Sequence, residues 1–211
     1  MVAELLEGHG HGAGGALCLQ FTNTTSARHT ERPGESLHCY ADLLAWARRE
    51  GVVSPGLADG LAAAAEGRPA EAAGVLQQAL ALREAIYRIF TAHAGGAAAA
   101  AEDLALLNAA LAEALPHRRL VVAAEGFGWQ WEEPQDALAQ MLWPVAHSAG
   151  ELLTSPDLRR VRECAGASCN WLFVDQSKNR RRRWCDMQEC GNVEKVRRYR
   201  RRKQESDRVS G

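Results

Sequence analysis

The stretch "CAGASCNWLFVDQSKNRRRRWCDMQEC", residues 164–190, places four cysteines in the pattern C-x4-C-x15-C-x4-C. Each pair spans one short turn, so two turns can present four sulfurs to a single tetrahedral ion. Four thiolates suit zinc, and an all-cysteine site leaves no open position for substrate or water. The spacing therefore predicts one structural Zn²⁺ on Cys164, Cys169, Cys185 and Cys190. Disulfides and an iron–sulfur cluster are the other structures that four grouped cysteines allow. Cys18 and Cys39 stand alone in apolar-patterned segments and read as buried core residues.

Trp171, Phe173 and Trp184, lying between the pairs, read as the apolar filling of a hairpin that turns at 175–179. Beyond Cys190, Val193, Val196 and Tyr199 stand three apart and predict a packed helical stripe. Knuckle, hairpin and a helix carrying the last ligand in its first turn is a treble-clef layout. A unit of about 45 residues buries too little surface to fold alone, so metal binding must supply the missing stability.

Arginines crowd this unit. Cations lower the pKa of nearby thiols and offset the net charge of about −2 that four thiolates leave on one zinc. That explains only a few of them. Arg180, Arg181, Arg182 and Arg183 before the third cysteine, and Lys195, Arg197, Arg198, Arg201 and Arg202 on the helix, are in surplus. Surplus cations on a rigid scaffold suit phosphates, and arginine also pairs with guanine in the major groove.

The formal net charge of −1 conceals this asymmetry. Residues 1–154 carry 9 Lys+Arg against 18 Asp+Glu, whereas residues 155–211 carry 16 against 8. An acidic body, 1–154, joined at Ser155-Pro156-Asp157 to a basic module, 155–211, predicts two units with separate cores and a polyanionic partner for the second. DNA is the first expectation, with RNA or a ribosomal site the alternative. The start "MVAELLEGHGHGAGG", residues 1–15, does not read as a secretory signal, and its His9 and His11 read as part of a tail. With no run of about 18 apolar residues, no membrane span is expected. The expected location is the reducing cytoplasm.

The acidic part reads as mostly helical with a few strands, an α+β fold. "ALCLQFTNT" (16–24) alternates as a strand, and helices are expected over about 37–49, 55–66, 69–93, 102–114 and 135–153. "RRLVVAAEGFGWQWEEP" (118–134) predicts a hairpin with Phe127, Trp129 and Trp131 on one face, read as sheet core. Asn23, Thr24, Arg28 and Arg83 are the candidates for lining a polar pocket for a small-molecule ligand. Asn23 and Thr24 read equally well as the end of a strand. No nucleotide-binding loop, HExxH or GxSxG occurs, and His38, His93, His117 and His147 are scattered, so no enzymatic activity is expected.

These residues carry a resemblance. Residues 164–192, "CAGASCNWLFVDQSKNRRRRWCDMQECGN", resemble the CGNR zinc finger. The four cysteines match its ligands, and Phe173, Asp175, Ser177, Arg183, Trp184, Gly191, Asn192 and Lys195 fit its pattern. Val193 stands where that family has arginine. "LCLQFTNT" (17–24) and "LREAIYRIF" (82–90) resemble the opening and central segments of the ABATE domain of stress-induced transcription regulators. The resemblance implies a finger that binds DNA and an N-terminal domain that senses a ligand.

Overall fold

The computed structural model describes residues 16–123, 126–134 and 136–209, the last eight as backbone only. The readings made for His9, His11 and the Arg202 side chain lie outside the described residues. The α+β expectation holds: helices carry the core, and the strands form three separate antiparallel pairs.

The chain opens with α1 (Leu17–Thr22), where a strand was expected. Leu17, Cys18, Leu19, Phe21 and Thr22 are all buried, and Gln20 alone is half-buried. A six-residue segment with one half-exposed position shows too little polar face to reveal its period, so its alternation misleads. Two-residue strands β1 (Thr25–Ser26) and β2 (Gly34–Glu35) follow. Helix α2 (Tyr40–Arg49) starts where Asp42 accepts hydrogen bonds from the His38 and Cys39 amides. That capping role leaves Cys39 exposed at the helix entrance, not buried as expected.

Ser54 caps α3 (Pro55–Gly67) through the Leu57 amide, with Pro55 in the first turn. The 26-residue α4 (Pro69–Ala94) is the central element, burying Val75, Leu76, Leu82, Ile86, Ile89 and Phe90 among others. Helix α5 (Ala101–Ala114) packs on it, and Arg88 of α4 meets buried Asp103 at 2.5 Å. The hairpin of β3 (Arg118–Ala123) and β4 (Gly126–Trp131) forms as predicted. Its aromatics are not sheet core: Phe127 and Trp129 are exposed, because nothing described packs over the outer part of that face. Helix α6 (Leu142–Thr154) begins seven residues later than expected, although Leu138 and Met141 before it are already buried.

The second unit supplies β5 (Val161–Glu163) and β6 (Leu172–Val174), paired Val161 to Val174 and Glu163 to Leu172. This hairpin encloses the first cysteine pair instead of standing between the two pairs. Among the described residues no strand follows β6 before the final helix, α7 (Asn192–Val209). Val161, Leu172 and Val174 belong to the same apolar cluster as Phe21, Ile86 and Val145, so the core runs across the residue 155 boundary. The expectation of separate cores therefore fails. A second small cluster holds Cys164, Cys169, Phe173 and Cys185, with Trp171, Trp184 and Cys190 against it.

Candidate metal centre and nucleic-acid surface

The first cysteine pair sits at the tip of β5–β6. The Cys164 amide donates to the Trp171 carbonyl, extending the ladder, and the Cys169 amide donates to the Gly166 carbonyl. Asn170 takes a left-handed conformation that closes this knuckle. The second pair is set by a different device. Asp186 accepts from the Gln188 and Glu189 amides, starting a wide helical turn, Met187–Gly191, in which the Gly191 amide reaches back to the Asp186 carbonyl. This π-type turn places Cys190 beside the other three ligands and leads directly into α7.

All four sulfurs lie within 4.8 Å of one another. Cys169 and Cys185 are 3.5 Å apart at Sγ, and Cys185 and Cys190 are 3.7 Å apart. Sulfurs bound at about 2.3 Å to a tetrahedral zinc stand roughly 3.8 Å apart, so the donor set fits that ion. The Cys185 and Gly166 amides point at Cys164 Sγ, as suits a thiolate. Hydrogen bonds from Cys169 and Cys185 hold the Cys164 thiol far below its ordinary range, and the same bonding pushes Cys185 up. Binding a divalent ion displaces the thiol protons.

The loop between the pairs is organised by Asp175. Its fully buried carboxylate accepts from the Ser177 amide and hydroxyl and from the Arg182 amide. Burial alone would raise its pKa, but the Ser177 and Arg182 hydrogen bonds and the nearby Arg162 charge hold it below the ordinary carboxylate range. Arg182 points inward, donating to the Trp184 and Cys185 carbonyls and lying over Phe173. Arg180, Arg181 and Arg183 are exposed.

On α7, Lys195, Arg197, Arg198, Arg200 and Arg201 are all exposed. So are Val193, Val196 and Tyr199, the stripe expected to pack, because α7 runs clear of the body beyond its first turn. Arg197 pairs with Glu194 at 2.9 Å, the only one of these cations with an ion pair among the described residues. Arg200, missed by the sequence reading, belongs to the same exposed set; its place in the run "RRYRRR" (197–202) was the available signal.

The four pocket candidates divide. Thr24, Arg28 and Arg83 form one network with Glu35 and Glu84, two partners that sequence reasoning missed. Arg83 grips both Glu35 oxygens at 2.7 Å and donates to Thr24 Oγ1, while Glu84 bridges it to Arg28. Arg28 also lies over the Tyr87 ring. Glu84 adjoins Arg83 in sequence, but no local signal ties Glu35 to it. Asn23 instead reaches the second unit, at Leu172. Asn23 and Thr24 do line a cleft of about 540 Å³, together with Gln20, Trp46, Trp171 and Leu172; Arg28 and Arg83 do not.

Two family matches cover most of the chain. Residues 15–156 match the ABATE family, described as "Putative stress-induced transcription regulator", and residues 160–203 match the CGNR zinc finger. No curated protein matches the chain. Among the described residues no helix is long and apolar enough to cross a membrane. The match over 15–156, the four clustered sulfurs and the finger match lead to one conclusion: the chain belongs to the ABATE family and carries a CGNR zinc finger whose four cysteines hold one structural zinc.

Proposed function

We infer that the chain regulates transcription by binding duplex DNA through the zinc module, with no catalytic activity of its own. One observation carries this reading. Arg180, Arg181, Arg183, Lys195, Arg198, Arg200 and Arg201 are exposed on a loop and a helix fixed to one metal centre, and none has an ion pair among the described residues. Cations so placed repel one another unless a polyanion neutralises them. An arginine helix with a free flank suits the phosphates lining a groove and the base edges within it.

Ligand sensing belongs to the same proposal. The cleft lined by Asn23 and Thr24 is completed by Trp171, Leu172, Cys185 and Asp186 of the zinc module. An occupant would touch both units and bias the path into α7.

Titration of the zinc-loaded chain with duplex DNA and structured RNA, at several salt concentrations, tests the reading. Affinity for duplex that falls linearly on log–log axes with added salt supports it. Binding confined to RNA would replace DNA as the partner, and no binding to either would end the proposal.

A further inference from the structure

Among the described residues, the β3–β4 hairpin meets the body at its base. There Arg118 lies over Trp129 and Trp131, Trp131 meets the His147 ring edge-on, and His117 stacks on Trp143 at 3.8 Å. Farther out on the same face, Leu120 stands opposite Trp129 and Val122 opposite Phe127. These four are 60%, 52%, 83% and 76% exposed in that order. Together they present roughly 500 Å² of contiguous apolar surface, at the upper end of what a monomer leaves in water.

We propose that this face docks against the same face of a second copy of the chain, in a two-fold dimer. The chemistry of the four residues selects that occupant. Leu120, Val122 and Phe127 are wholly apolar and Trp129 adds one indole N–H, with Arg118 at the edge of its ring, so the surface that covers them is mainly apolar. The aliphatic pair lies on β3 and the aromatic pair on β4. A two-fold rotation lays each aliphatic strand over the partner's aromatic strand, which makes the face complementary to itself. Two such faces remove about 1,000 Å² from water, the minimum for a specific interface and the range of weak, reversible dimers. Stacked hairpins sit about 10 Å apart, a spacing that these side chains fill. The four residues lie apart from the zinc module, so the inference does not rest on the nucleic-acid reading.

The zinc-loaded full chain should sediment as two copies across about 1–100 µM, with no nucleic acid present. Val122→Glu and Phe127→Lys are each exposed changes that keep helicity and zinc content, yet each should weaken the dimer by at least about 30-fold. Mixing the two variants should restore association, because the rotation sets Glu against Lys at one contact and leaves valine against phenylalanine at the other. A wild-type chain that stays monomeric overturns the proposal, whether or not it binds neutral phosphatidylcholine vesicles. So do variants that dimerise like the wild type, and so does a mixture that stays monomeric.

Discussion

Asn23 holds Leu172 by both backbone groups: its side-chain amide donates to the Leu172 carbonyl and its side-chain oxygen accepts from the Leu172 amide, each at 2.9 Å. The end of α1 thereby behaves as an extra strand beside β6, and the Ala27 amide adds a bond to the Cys169 carbonyl. Tyr87 reaches the same hairpin through Glu163. The first cysteine pair is thus built on the acidic body as much as on its own module.

Asn23→Ala leaves two backbone groups of buried Leu172 on β6 without partners. The expected cost is about 1–3 kcal/mol, with weaker zinc retention. Thermal unfolding and competition with a chelator measure both. An unchanged midpoint would show that the contact contributes nothing.

Zinc removal should be felt beyond the finger. Cys190→Ser leaves three thiols, and the chain should bind well under one equivalent of zinc by elemental analysis, against one in the wild type. Because Val161, Leu172 and Val174 lie in the main core, the variant should also lower the melting midpoint of the helical body. Limited proteolysis yielding a body of undiminished stability would show that the shared packing is dispensable.

Asp175 organises the arginine loop. Asp175→Ala removes three hydrogen bonds from a fully buried carboxylate, at a cost on the order of 3 kcal/mol. The loop carrying Arg180, Arg181 and Arg183 should loosen, and DNA affinity should fall. Protection of the Arg182 amide from hydrogen exchange reports the loop directly.

Glu35 and Arg83 set an acid limit. Burial would raise the Glu35 pKa, but hydrogen bonds from Arg83 and from the Leu37 and Ser36 amides, with the Arg83 charge, hold it below its ordinary value. A carboxyl depressed in the folded state stabilises fully above its unfolded pKa and loses that contribution as pH falls through the folded value. Glu35→Gln should cost about 2 kcal/mol at neutral pH, and the difference from wild type should shrink once the pH drops below the ordinary carboxylate range. Urea unfolding across pH measures it; a constant difference down to strong acid contradicts the assignment.

Much of this was legible in the chain itself. The paired cysteine spacing is a local signal, and long amphipathic helices such as α4 announce themselves by period and by bounding Pro and Gly residues. What escaped was non-local. The helical state of 17–22 depends on burial of five of its six residues against distant elements, and Asn23's role depends on a strand about 150 residues away. The inward turn of Arg182 follows from carbonyls left by the knuckle, which no run of four arginines reveals. Exposure of Phe127, Trp129, Val196 and Tyr199 reverses the usual reading of apolar stripes, since periodicity shows that residues share a face but not what covers it.

In the proposed function, exposed arginines on a zinc-held helix contact nucleic-acid phosphates. Arg198→Ala with Arg201→Ala tests it most directly, because both side chains are exposed, neither touches the metal site, and alanine favours the helix. Duplex DNA affinity should be measured for wild type and double variant at several salt concentrations, with zinc content and helicity checked in parallel. The expected result is a folded, zinc-loaded variant that binds more weakly, with a log–log salt slope shallower by about two units. Unchanged affinity and slope would contradict it.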